Sequence, residues 1–194
     1  DDHLKNLGRV HSKVGAFEAL DHIFSAGFTN VSVDLLCGVP GQTLDDLSSA
    51  MDQLLQFPIT HLSCYLLTLP KTHRMFKELP HEDEQLRHLL KIDEKMTSAG
   101  FHHYEISNFA RPGKEAQHNL KYWTLESYLG LGPSAHSFSK KDRKRWKNIS
   151  SLHAYADRLK KGETVVEWEE TLTEEQTHIE RWMLGLRLSK GFPK

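Results

Sequence analysis

Apolar residues recur at helical spacing near the start of the chain. Val14, Phe17, Leu20 and Phe24 share one face, and Gly27 follows where a left-handed residue closes a helix, which predicts a helix from about residue 12 to 26. Val31-Ser32-Val33-Asp34-Leu35-Leu36 comes next, short and β-branched at its start. Bounded by Gly38 and Pro40, it suits a buried parallel strand. Thr43 with Asp46 forms an approximate capping box, and Leu44, Leu47, Met51, Leu54 and Leu55 then mark one helical face. The unit repeats: a strand over His61–Leu67, a loop with Pro70 and Pro80, and a helix marked by Leu86, Leu89, Leu90 and Met96 and closed by Gly100. Ser-Ala-Gly-Phe ends both helices, at Ser25–Phe28 and at Ser98–Phe101. Repeated joints of one chemistry predict stacked βα units on a parallel sheet, open or closed into a barrel.

Periodicity fades after Phe101. The stretch to Phe138 is rich in Gly, His, Tyr and Asn, including Asn108, His118, Asn119, Gly130, Gly132 and His136, and reads as strands joined by long ordered loops, the backbone on which sites are often built. A helix from Ser151 to about Lys160 follows, then a strand through Thr164, Val165, Val166 and Trp168. A last helix runs over Thr173–Leu188, with Thr173 and Gln176 as a capping box and Ile179, Trp182, Met183 and Leu186 as its apolar face.

Composition narrows the function. With 194 residues, 38% of them hydrophobic, the chain suffices for one sizeable domain or one domain and the start of another. Its 25 Lys and Arg nearly balance 26 Asp and Glu, so no net field draws it to nucleic acid or an acidic membrane. The basic run Lys140, Lys141, Arg143, Lys144, Arg145 and Lys147 is broken by Asp142 and Trp146 and reads as a solvated loop. No apolar stretch has membrane-spanning length, and Asp1–Lys5 lacks a signal layout, so a cytoplasmic location is expected. Cys37 and Cys64 lie in apolar segments, where cysteine is usually a small buried hydrophobe.

In a parallel α/β protein ligands bind at the C-terminal ends of strands, so Asp34, a polar residue late in an apolar strand, is a candidate. Its side chain falls on the face of Ser32 and Leu36, opposite Val31, Val33 and Leu35. It either meets a ligand's hydroxyls there or satisfies backbone donors in the Gly-Val-Pro-Gly turn that follows.

Four segments extend the reading: Leu7-Gly8-Arg9-Val10-His11-Ser12, Val33–Thr43, Tyr104–Gly113, and Tyr128-Leu129-Gly130-Leu131-Gly132-Pro133-Ser134-Ala135-His136-Ser137. In this order and spacing they resemble the coproporphyrinogen oxidase-like radical S-adenosylmethionine (SAM) proteins. The resemblance implies part of a (β/α)6 partial barrel over residues 1–138, a connecting segment over 139–170, and the start of a small helical C-terminal domain over 171–194. It also implies that Arg9 approaches the SAM carboxylate, Asp34 the ribose and Thr68 the adenine. The residues alone leave other roles open: Arg9 pairing with Asp1 or Asp2, and Thr68 as an ordinary strand-end residue.

Radical SAM chemistry needs a Cys-x3-Cys-x2-Cys loop, because three thiolates bind three irons of a [4Fe-4S] cluster and leave the fourth for SAM. Cys37 and Cys64 cannot supply it. The resemblance therefore implies a chain truncated at both ends, its cluster ligands outside it, and unable by itself to cleave SAM. His118-Asn119-Leu120-Lys121-Tyr122-Trp123 resembles the element by which the HemW-type haem chaperones of this family are thought to hold haem. On that resemblance His118 ligates the iron, Asn119 and Tyr122 complete the haem site, and His136 approaches a second ligand; sequence position alone favours a structural loop residue for His118 and leaves that role open for His136. The implied function is haem binding and delivery to acceptor proteins. The alternative is oxygen-independent oxidation of coproporphyrinogen III in porphyrin biosynthesis, and whether the protein is an enzyme stays open.

Overall fold

In a computed structural model that describes residues 1–191, the chain forms two compact units, Asp1–Glu115 and the residues from Ala116 onward. This division falls ahead of the limit at residue 138 drawn from the sequence. The last three residues of the segment 171–194 lie outside the described residues.

The first unit runs α1 (Asp2–Asn6), α2 (Lys13–Ser25), β1 (Ser32–Cys37), α3 (Leu44–Leu54), β2 (His61–Leu66), a 3-10 turn (Phe76–Glu78), α4 (Glu82–Ser98), β3 (His102–Glu105) and β4 (Asn108–Ala110). The expected joints form as read. Ser12 Oγ accepts from Gly15 N at the start of α2, and Thr43 and Asp46 make the full reciprocal capping box of α3. Gly27 and Gly100 close their helices at φ +89° and +82°, a region nearly closed to residues with a Cβ.

Strands β1 and β2 pair in parallel, as the repeated βα pattern predicts. The sheet order is β1-β2-β4-β3, and β4 runs antiparallel to both neighbours. Thus β3 keeps the parallel sense, but the tight Ile106-Ser107 turn folds the chain back and inserts β4 between it and β2. One sheet face packs on the helices through Cys37, Leu62, Cys64 and Phe109, meeting Leu47, Met51, Ile92 and Met96. Each buried Leu, Ile, Met or Phe among these contributes about 1.5–3 kcal/mol. The buried face of α4 is His88, Ile92 and Met96, whereas Leu86, Leu89 and Leu90 stand exposed. The leucines mark the helix, but the stripe spaced by four residues is the one that meets the core.

The second unit contains α5 (Gln117–Trp123), β5 (His136–Ser139), β6 (Lys144–Asn148), α6 (Leu152–Lys161), β7 (Val166–Thr171) and α7 (Glu174–Gly185). Its three strands form an antiparallel sheet in the order β5-β6-β7. The basic run lies on and before β6 and is matched by acids: Lys140 to Glu126 at 2.6 Å, Arg143 to Glu174 at 3.1 Å, Lys144 to Glu169 at 2.9 Å, Lys147 to Glu167 at 3.1 Å, and Arg145 to Glu170 and Glu180. Cross-strand pairs between β6 and β7 account for Lys144, Arg145 and Lys147. The capping box of α7 forms as read, and its apolar residues Ile179, Trp182, Met183 and Leu186 are exposed.

Candidate functional site

The sheet face opposite the core carries Ser32, Asp34, His61, Ser63 and Asn108, because the two-residue strand period sends alternate side chains there. Asp34 pairs in register with Ser63 and is exposed, as its strand parity requires. Beyond it, at the C-terminal ends of β1 and β2, Leu36 and Leu67 line a cavity of about 300 Å³ with Arg9, His73, Arg74 and Met75. Thr68 follows Leu67 and is exposed, its Oγ1 donating to the Leu66 carbonyl at 3.4 Å. Arg9 and Thr68 are thus brought to the strand ends where ligands bind in such folds, and two guanidiniums at one cavity suit an anionic group. A larger cavity, about 630 Å³, lies among residues 41–45, 78–81, Glu84, Arg87 and His88 and contains none of the predicted site residues.

In the second unit the spacing of four residues on α5 sets His118 above Tyr122. His118 Nε2 and Tyr122 Oη share a hydrogen bond of 2.8 Å, with ring centroids 5.1 Å apart and planes at 88°. Tyr122 meets the edge of Tyr128 at 4.7 Å, and Tyr128 leans on Phe138 at 6.4 Å across an isolated bridge between their backbones. Burial, with the neighbouring Tyr122 adding to it, pushes the Tyr128 phenol up. Trp123 carries the Arg187 guanidinium over its ring at 5.2 Å. Asn119 is half-buried, and His136 is exposed at the start of β5. The Gly-rich segment before it is a scaffold: Gly130 N donates to Ser137 Oγ, Asn148 Nδ2 donates to the carbonyls of Gly130 and Gly132, and Gly132 N donates to Tyr155 Oη. A Cβ on Gly130 would sit 2.1 Å from the His136 carbonyl oxygen, so only glycine fits.

Sequence reasoning missed Tyr128 and Phe138 as partners of the motif, since they are distant in the chain. It also passed over His61, which is buried and bridges Ser32 Oγ at 2.8 Å and Tyr104 Oη at 2.7 Å. Burial holds its imidazole below the usual range, opposed in part by the Asp34 carboxylate. Burial likewise pushes the Glu105 carboxyl up, against hydrogen bonds from Ser107 and Asn108. Cys37 and Cys64 are buried with sulfurs 3.8 Å apart, and contact with Cys37 plus burial pushes the Cys64 thiol up. Among the described residues no group of three or more His, Cys, Asp or Glu side chains gathers to hold a metal ion. No helix among them is long and apolar enough to cross a membrane.

No family model matches the chain. Among curated proteins it is 36% identical to the heme chaperone HemW of Bacillus subtilis over 202 residues, covering 100% of this chain and 52% of that protein. It is 35% identical to the HemW of Mycobacterium tuberculosis over 98% of this chain and 50% of the relative. Over nearly its whole length the chain is similar to the HemW proteins. A zebrafish relative, the mitochondrial radical S-adenosyl methionine domain-containing protein 1, is 34% identical over 70% of this chain and 32% of its own length. The chain spans about half the length of the HemW proteins it matches. The Escherichia coli coproporphyrinogen III oxidase HemN, described as a radical SAM enzyme, superposes with a TM-score of 0.79 over 96% of this chain and 47% of that one, at 20% identity. That likeness establishes the fold: the chain has the α/β fold of the part of HemN it superposes on.

Proposed function

We propose that the protein of which this chain is part binds haem and delivers it to acceptor proteins in the cytoplasm. The observation that carries the reading is the exposed His118–Tyr122 pair on α5, two haem-competent donors 2.8 Å apart. The names of the HemW relatives support the same cargo. Aromatic rings of Tyr122 and Tyr128 offer apolar surface beside the donors. Asn119 flanks the pair on the helix, and His136 stands in the same unit as a weaker candidate.

SAM and a [4Fe-4S] cluster belong to the full protein in this reading. Arg9 would pair with the SAM carboxylate, Asp34 would accept from the ribose hydroxyls, and Thr68 would meet the adenine. The positions of Arg9 and Thr68 at the strand ends, with Asp34 on the adjoining polar face, fit those roles. The cluster supplies one-electron chemistry when bound, and its thiolates come from outside this chain. The fold shared with HemN supports a second reading, oxidative decarboxylation of coproporphyrinogen III.

Haem titration of the full-length protein separates the two. The expected result is a stoichiometric complex with a shifted Soret band, altered or weakened by His118→Ala and unaffected by His153→Ala. No protoporphyrinogen should form from coproporphyrinogen III with SAM and a reductant. Haem spectra identical in both variants, with clear decarboxylation, would establish the oxidase instead.

A further inference from the structure

We propose that the cavity of about 630 Å³ at the starts of α3 and α4 binds an organic cation, a primary ammonium or guanidinium group on a methylene stem, with His88 as the acceptor in its wall. None of the residues proposed for haem or SAM lines it.

His88 is 3% exposed, and its Nδ1 donates to the Glu84 carbonyl one turn earlier on α4 at 2.7 Å. A carbonyl only accepts, so Nδ1 carries the hydrogen and Nε2 of the neutral ring is an acceptor. Among the described residues Nε2 has no hydrogen-bond partner. It lies across the ring from the Glu84 carbonyl, and His88 is part of the cavity wall. Buried polar atoms are nearly always partnered, so an acceptor left open beside a cavity calls for a donor from the molecule that fills it.

Charge decides which donor. Asp45, Glu78 and Glu84 line the same cavity, are exposed, and have no ion-pair partner among the described residues. Arg87 is the only Lys or Arg among the lining residues. Two helix N-termini meet here, and open ones would favour an anion. Both are already closed: Thr43 Oγ1 accepts from Asp46 N, the Asp46 carboxylate accepts from Thr43 N, His81 caps α4, and Glu82, Asp83 and Glu84 fill the first turn of α4. An anion would meet filled caps and unpaired carboxylates, whereas a cation meets those carboxylates and the His88 acceptor. Leu44, Leu79 and Pro80 give a methylene stem an apolar wall. No three His, Cys, Asp or Glu side chains gather among the described residues to hold a metal ion, so the cation that fits is organic. A free diamine and a Lys side chain of another protein present the same group.

Isothermal titration of the full-length protein with cadaverine, agmatine and the peptide acetyl-Ala-Ala-Lys-Ala-Ala-amide tests the site, with glutarate as the anionic control. Binding of the cations and not of glutarate is expected, weakened by salt because the carboxylates are solvated. NMR of the histidine ring nitrogens should show the His88 Nε2 signal moving as cadaverine binds. His88→Leu, which removes the acceptor, and Glu84→Gln, at an exposed position that folding does not depend on, should each weaken binding about tenfold, the loss of one hydrogen bond to a charged group. Tighter binding of the peptide than of cadaverine assigns the cation to a partner's lysine, and the reverse to a free amine. Absence of binding by all three cations, glutarate binding as tightly, an unmoved His88 signal, or affinity unchanged in Glu84→Gln would overturn the site.

Discussion

His61 shows how one buried polar side chain ties a sheet together. Its ring joins β1 through Ser32 and β3 through Tyr104, and in the neutral imidazole one nitrogen donates while the other accepts. Its pKa in the fold lies below the ordinary 6.5, with burial as the main cause and Asp34 opposing it. The unfolded chain therefore takes up the proton first as the pH falls. The contribution of His61 to stability is complete above about 6.5 and is lost as the pH drops through the lower folded value. His61→Gln should cost about 1–3 kcal/mol at neutral pH, the range for disturbing a buried hydrogen-bonded group, and should flatten the decline below pH 6.5. Denaturant unfolding of both proteins across that range checks it; parallel curves would remove His61 as the source of the acid sensitivity. The motif around His118 and Tyr122 was visible in the sequence because both donors sit within one turn of helix. Tyr128 and Phe138 were not, since only the fold brings them to Tyr122.

Secondary-structure elements were legible where chemistry is local. Capping boxes at Thr43 and Thr173 depend on side chains three residues from the cap, and both form as the sequence predicts. Thr43→Ala should remove the Asp46 N to Thr43 Oγ1 bond and cost about 1 kcal/mol, read as a lower melting temperature and faster amide exchange in the first turn of α3. Unchanged exchange there would mean that packing of Leu47 and Met51 alone holds the helix start. The facing of α4 was legible only at Met96. Leu86, Leu89 and Leu90 are the more hydrophobic stripe, yet His88, Ile92 and Met96 face the sheet. Hydrophobicity reveals that a helix is amphipathic, while the sheet beneath decides which stripe is covered. Strand β4 escaped for a related reason: Asn-Phe-Ala is too short for a periodic signal and becomes a strand only by bonding to β2 and β3.

At the scale of the whole molecule, the two cysteines belong to the core. Both are buried in the sheet–helix core, Cys37 at 0% and Cys64 at 3% exposure, away from any open surface. On the proposed reading, in which the full-length protein holds a [4Fe-4S] cluster, Cys37→Ala combined with Cys64→Ala should leave iron and labile sulfide at wild-type levels, since such a cluster takes its three thiolates from one loop. Loss of one cluster's iron would place these thiols at the cluster. The sequence by itself determined the repeated βα units, the helix caps, the closing glycines and the family motifs, because each rests on residues near one another in the chain. Tertiary structure alone decided the antiparallel β4 inserted in a parallel sheet, the acids that neutralise the basic run, the division after Glu115, and the gathering of Arg9 with Leu36 and Leu67 at one cavity. Those features join residues tens of positions apart, and only the closing of the chain on its core fixes which of them meet.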